Sequence, residues 1–232
     1  GVMWILLQPL LSTMIFTVLF GILLKAPSGE VPYALFVLAG MIPWNYFASS
    51  LTRSSGSVVA SSNLVTKVYF PRLIIPMAGV LAGLVDFFIV SVALGGLMAF
   101  YGVMPTANIW LLPLFLLLAL LTAFGFGLWL SALNVRYRDV NWLMPFLIQV
   151  WMYLTPVVYS ASILPERFRP YLALNPLTGV VEGFRWALFG ESMGSAAPGG
   201  LMFAISIAIT VLVLLSGLVY FRRTERTFAD VI

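Results

Sequence analysis

Residues 87 to 135 form an unbroken run of 49 residues without a charged side chain, and this run constrains the chain more than any other feature. An ionised group at the centre of a bilayer costs at least a few kcal/mol, so a run this long and uncharged is suited to lipid. It exceeds the roughly 20 residues of a single crossing. Tyr101-Gly102-Val103-Met104-Pro105-Thr106-Ala107-Asn108 supplies a turn near its middle, so it reads as two spans. The first must begin near Leu73, which puts Asp86 inside it. The uncharged intervals 1–24, 31–52, 140–165 and 192–221 each hold one more. The fold class is therefore all-α integral membrane, a single transmembrane domain over 1–232 with six spans at about 2–24, 33–57, 73–100, 109–133, 141–160 and 201–221.

Composition excludes the rival classes. Only 9% of residues are charged and 62% are hydrophobic, against about 25% charged in ordinary globular proteins, so a water-facing surface cannot be clothed. With no Cys and no His, the chain has no disulfide, thiolate nucleophile, imidazole base or zinc site of the usual ligand types. Lys25 follows Leu24 and Lys67 follows Thr66, so neither is the lysine of a phosphate-binding loop. The net charge of +4 gives no indication of nucleic-acid binding.

Charge placement sets an orientation. With the amino end inside, the inner stretches collect Arg53, Lys67, Arg72, Arg136, Arg138, Arg222, Arg223 and Arg226, and the outer ones hold Lys25, Arg167, Arg169 and Arg185. Eight cations against four favour both termini in the cytoplasm. Gly1 runs almost at once into the first span, and the absence of a basic leader and of a small-residue cleavage site makes residues 1–24 a retained helix rather than a signal peptide.

Three connections stand out. Ser61 to Arg72 is short, basic and partly apolar; Ser62 or Asn63 is placed to cap a helix of one to two turns and Pro71 to stop it. It reads either as an interfacial segment among headgroups or as a docking knob for a cytoplasmic partner. Asn134-Val135-Arg136-Tyr137-Arg138-Asp139-Val140 is a tight turn whose cations serve as a positive-inside anchor or touch that partner. The outer connection from Ala161 to Gly200 contains a delimited helix: Asn175 caps it, Pro176 occupies its first turn and Gly190 follows its end. At about 14 residues and 1.5 Å each it is too short to cross, so it should lie at the outer interface or dip and return. Glu182 and Arg185, three apart, are placed to pair on one face, with Phe184, Trp186, Leu188 and Phe189 as apolar anchorage.

Three spans carry a polar stripe at helical spacing: Gln8 and Ser12; Asn45, Ser49 and Thr52; Gln149, Tyr153 and Pro156. Such groups would be unsatisfied against lipid, so the stripes should face other helices or a wet cavity. Phe16, Phe20, Trp44, Tyr46, Phe47, Trp151, Tyr153 and Tyr159 gather beside them. Rings of this kind form a headgroup girdle, or else pack on sugar C–H faces while hydroxyls and amides bond sugar hydroxyls. Asp86, 14 residues beyond Arg72, falls about 21 Å along its helix and reads as a hydrogen-bonded structural acid without a His, Lys or second acid to match it.

Asn63-Leu64-Val65-Thr66-Lys67-Val68-Tyr69-Phe70-Pro71-Arg72, then Leu84-Val85-Asp86-Phe87, Asn134-Val135-Arg136-Tyr137-Arg138-Asp139, Leu154-Thr155-Pro156-Val157 and Asn175-Pro176-Leu177, in this order, resemble the permease subunits of ATP-binding-cassette type-2 polysaccharide exporters. The O-antigen export permeases (Wzm-like) are the nearest look-alikes, and the similarity runs from the first span to Arg226.

The resemblance implies a non-catalytic, six-span, multi-pass subunit of the bacterial inner membrane that forms a homodimer. It implies two copies of a separate nucleotide-binding subunit, which binds ATP and Mg, with no cofactor in this chain. A lipid-linked glycan would move outward between protomers along the first, second and fifth spans. Gln8, Ser12, Phe16, Trp44, Asn45, Phe47, Ser49, Gln149, Tyr153 and Tyr159 would then be pathway residues. Asn63 to Arg72 would be the coupling helix that touches the ATPase. The family also has an amino-terminal amphipathic interface helix, expected to precede Gly1. Three alternatives stand beside this reading: a type-2 exporter of a small hydrophobic drug or lipid, a stand-alone flippase in which Asp86 couples ions, and a membrane glycosyl- or acyl-transferase. The last is disfavoured because no His, Cys or clustered carboxylates offer a base.

Overall fold

The computed structural model describes residues 2–67, 70–137, 139–193 and 201–228. Its elements are helical: α1 (Val2–Phe16), continued by a π-helical stretch (Thr17–Leu23), α2 (Tyr33–Ala60), α3 (Ser62–Lys67), α4 (Ile74–Tyr101), α5 (Leu112–Arg136), α6 (Val140–Leu154), α7 (Arg169–Ala173), α8 (Pro176–Phe189) and α9 (Leu201–Thr224). Among the described residues, five helical stretches are long and apolar enough to cross a bilayer: Met3–Leu23, Tyr33–Ala60, Ile74–Tyr101, Ala107–Arg136 and Leu201–Thr224.

The fifth expected span differs. α6 stops at Leu154 because Pro156 disfavours the helical region at Thr155, which is extended at φ −104°, ψ 136°. Its 15 residues reach only about 22 Å of a core about 30 Å thick. The chain then turns and runs through short helical pieces into α7 and α8.

α2 is the hub. Its residues from Leu35 to Ile42 are almost fully enclosed, and α4, α5 and α8 pack around it. In lipid, apolar surface gives no net drive for helices to associate, so close backbone approach and hydrogen bonds decide the packing. Glycine supplies the approach. A Cβ on Gly125 of α5 would lie 2.9 Å from Leu214 Cα of α9, and one on Gly217 of α9 would lie 2.5 Å from the Gly125 carbonyl. Gly79 of α4 likewise faces the α2 backbone at Ser54, at 3.1 Å. Polar links fasten the same seams: Thr122 and Thr210 hydroxyls are 3.1 Å apart, and Trp129 Nε1 donates to Ser216 Oγ at 3.1 Å.

The antiparallel arrangement gathers the ends of α2, α5 and α9 and the start of α4 at one basic end of the bundle. There Asn134 Nδ2 donates to the Ser55 carbonyl at 3.1 Å, and Arg72 donates to the Glu225 carbonyl.

α8 forms with the anticipated bounds, and its apolar residues are enclosed by protein. Leu177, Val181, Phe184, Ala187, Leu188 and Phe189 are core residues, enclosed by α2, α5 and α9. Gly183, whose Cβ position is filled by the Phe115 ring, lets the helix sink this far. Trp186 keeps partial exposure.

Candidate functional site: a polar groove between α1, α2 and α4

A groove of about 440 Å³ runs along α1, α2 and α4. Its apolar walls come from Trp4, Ile5, Ile42, Phe87, Val90 and Ile148, and its polar groups from Gln8, Asn45, Tyr46, Ser49, Thr52, Arg53 and Asp86. Asn45, Ser49 and Thr52 share a face because they step by four and three residues. Two of these groups are already satisfied locally: Ser49 Oγ donates to the Tyr46 carbonyl at 3.2 Å and Thr52 Oγ1 to the Ala48 carbonyl at 2.8 Å. The Gln8 and Asn45 amides have no hydrogen-bond partner among the described residues. Gln8 is exposed and Asn45 half-buried, so both amides are open to a ligand, water or another chain in the groove.

Asp86 is not a lone acid. It pairs with Arg53, the two side chains being 23% and 41% exposed at the groove wall. The sequence offers Asp86 no His, Lys or second acid, and its partner is instead the arginine at 53: α2 continues seven residues past Arg53 and brings the guanidinium beside α4. The pair is charge-neutral and reachable, so it presents both a carboxylate acceptor and guanidinium donors to the groove.

The other pathway candidates divide. Ser12 and Phe16 of α1 are half-buried, and Phe16 lies 6.1 Å from Phe20. Gln149 is exposed and Tyr153 is 57% exposed on α6, while Tyr159 is half-buried and donates to the Tyr153 carbonyl at 3.2 Å. Trp44 and Phe47 are corrections: at 2% and 0% exposure they lie inside the bundle. Phe47 packs edge-on against Trp151 at 5.0 Å and Trp44 lies 5.8 Å from Phe47. Rings enclosed this way are core, not the wall of a path over the protomer surface. α1 and α6 have the loosest packing, with Met3 82%, Trp4 62%, Trp142 86% and Phe146 65% exposed.

Two knots hold the end opposite the basic one. Asn175 Oδ1 accepts from Leu177 N at 3.2 Å and Trp151 Nε1 at 3.1 Å, and its Nδ2 donates to Thr155 Oγ1 at 2.8 Å. The cap of α8 is thereby tied to the end of α6. Arg185 is fully buried and does not form the ion pair expected with Glu182: Nε donates to the Phe36 carbonyl at 3.0 Å, Nη1 to the Pro156 carbonyl at 2.7 Å, and Nη2 to the Val157 carbonyl. Its Cζ also lies 3.7 Å from the centre of the Phe36 ring. Neither link was legible as a contact, although Thr155-Pro156 marked where free carbonyls would appear. Burial pushes the Glu182 carboxyl above the usual carboxylate value, against the lowering pull of Arg185.

At the basic end α3 follows α2 after Ser61, with Asn63 exposed and Leu64 52% exposed. Val65, Thr66 and Lys67 complete the helix, and Phe70, Pro71 and Arg72 lead into α4. Val68 and Tyr69 lie outside the described residues, as does Arg138 of the second loop. Arg136 is exposed, its Cζ 5.6 Å from the Tyr137 ring centre, and Asp139 is exposed at the start of α6.

A family model described as ABC-2 type transporter matches residues 1–189. The chain belongs to the ABC-2 type transporter family. Its similarity extends to the O-antigen export system permease protein RfbA of Klebsiella pneumoniae, 27% identical over all of this chain and 87% of that protein. The protein of the same name from Myxococcus xanthus is 27% identical over 97% of this chain and 86% of its own length. The polysialic acid transport protein KpsM of Escherichia coli is 24% identical over the same shares. The chain is thus an all-helical, multi-pass member of this transporter family.

Proposed function

We propose that the chain is the membrane permease of an ATP-driven exporter that moves a lipid-linked polysaccharide out of the cytoplasm across the bacterial inner membrane. The observation that carries this reading is the groove: unpaired Gln8 and Asn45 amides beside the Arg53–Asp86 pair, framed by apolar walls. Sugar hydroxyls both donate and accept, and such a mixed set exchanges water for protein groups with no covalent step. The names of the relatives, which speak of O-antigen export and polysialic acid transport, support the substrate class.

In this reading both termini face the cytoplasm, α6 with its following turn makes the fifth of six crossings, and α8 closes the outer end. Two copies meet through the loosely packed α1 and α6, which turns the groove towards a shared path. The segment Asn63 to Arg72, with Arg136, Arg138 and Asp139, contacts two nucleotide-binding subunits that hold ATP and Mg. Their closure shifts the permease between closed and open states through a differential contact at that segment.

A second reading, export of a hydrophobic lipid or drug, draws on an apolar crevice of about 680 Å³ between α4, α5 and α8, lined by Phe88, Met98, Leu112 and Phe184 among others. The deciding experiment is co-purification with the neighbouring ATPase, followed by ATP hydrolysis in nanodiscs with added substrate. Stimulation by lipid-linked glycan supports polysaccharide export. Stimulation by hydrophobic drugs alone supports the second reading, and failure of any ATPase to bind rejects both.

A further inference from the structure

The membrane-facing side of α9 carries a groove of about 850 Å³ that plays no part in the pathway above. One wall is the Trp129 ring of α5 stacked on Tyr220 of α9, centroids 4.4 Å apart and planes 11° apart. The Trp129 indole N–H is spent on Ser216, so the surface left to the groove is apolar. Leu212, Leu215 and Val219, at 65%, 57% and 51% exposure, form the floor. From Ala208 to Tyr220 the lining extends over 13 residues, about 18 Å of helix against roughly 15 Å for the hydrocarbon of one leaflet.

One turn beyond Tyr220, at the basic end of the bundle, the lining ends on Arg223. Arg223 is exposed and has no ion pair or hydrogen bond among the described residues. An aromatic pair at the boundary, an apolar trough one leaflet deep and a guanidinium at its mouth match the three parts of a phospholipid, and the guanidinium selects an anionic phosphate. We infer that this groove is a binding site for one anionic phospholipid, its acyl chain along α9 and its phosphate on Arg223.

The test is native mass spectrometry of the permease exchanged into mixed phosphatidylglycerol and phosphatidylcholine, with thermal unfolding as a folding control. Wild type should retain phosphatidylglycerol preferentially, and Arg223→Gln should lower that retention about fivefold. Arg222→Gln, which removes an exposed cation outside the lining, should leave it intact. Val219→Trp, which fills the trough, should reduce retention of both lipids. Inorganic phosphate at matched concentration should not compete. Equal loss in Arg222→Gln and Arg223→Gln would mean a general charge field and overturn the site. Unchanged retention in Arg223→Gln would overturn it as well, whatever the behaviour of Val219→Trp. Glycan-stimulated ATP hydrolysis reads the proposed function separately, so failure of one does not imply failure of the other.

Discussion

Arg185→Met asks how much of the bundle hangs on one buried cation. The side chain donates three hydrogen bonds to carbonyls of two separate segments. The Phe36 carbonyl sits inside α2 and keeps its helical partner, so its loss is small. The Pro156 and Val157 carbonyls lie in the turn after α6 and have no other partner among the described residues. Leaving two buried carbonyls unsatisfied costs about 1–3 kcal/mol each, or roughly 2–6 kcal/mol together. Relief of the desolvated guanidinium offsets part of this, as replacement of buried charges by apolar groups shows, so the expected net is about 2–4 kcal/mol. Reversible unfolding in mixed micelles, followed by tryptophan fluorescence, measures it. Arg185→Lys should recover little, because one ammonium cannot reach carbonyls spread around a planar fork. Stability of Arg185→Met within about 0.5 kcal/mol of wild type would show that these carbonyls do not depend on the guanidinium, since that is the range of inconsequential surface changes.

Other perturbations reach different joints. Gly125→Ala should loosen the α5–α9 seam by about 1–3 kcal/mol, since its Cβ would meet Leu214 backbone at 2.9 Å; the same unfolding assay reads it, and an unaffected variant would reject backbone approach as the basis of that seam. Asn175→Ala removes a helix cap and the link to Thr155, for a loss of about 1–2 kcal/mol, and increased protease cleavage between α6 and α8 should accompany it. Glu182 has its folded-state value raised by burial, so its contribution is fully present below the ordinary carboxylate value and is lost as pH rises through the raised one. Stability should therefore fall with rising pH across that window, and Glu182→Gln should flatten the profile; an unchanged profile would remove Glu182 as its source. Lys67→Glu should weaken co-purification of the ATPase if the segment from Asn63 to Arg72 is its docking site, and full retention would reject an electrostatic contribution there.

The charge gaps located the helices because ionised groups are excluded from lipid, and the Asn175, Pro176 and Gly190 punctuation bounded α8 to the residue. Local rules acted there without help from distant residues. The charge gap continues to Pro165 and marks no end for α6, whereas Pro156 carries the signal for the stop at Leu154. The Arg53–Asp86 pair was missed for a different reason: pairing across 33 positions depends on the relative rotation and slide of α2 and α4, set by Gly79 and Gly83 against α2. Arg185 shows the same limit. A cation on an amphipathic helix reads as surface, and only the convergence of Phe36, Pro156 and Val157 gives it an interior place. Trp44 and Phe47 lie beside the polar stripe in sequence, whereas their enclosure follows from α2 being surrounded.

A substrate path through the groove can be measured directly, because the sequence contains no cysteine. Gln8→Cys and Asn45→Cys, each in the assembled transporter, would be reacted with a membrane-impermeant maleimide with and without lipid-linked glycan, with Leu212→Cys on the membrane-facing side of α9 as reference. Labelling at 8 and 45 well above that at 212, and suppression of it by glycan during ATP turnover, is the predicted result. Labelling at 8 and 45 no faster than at 212, or unaffected by glycan, would contradict a wet path through this groove.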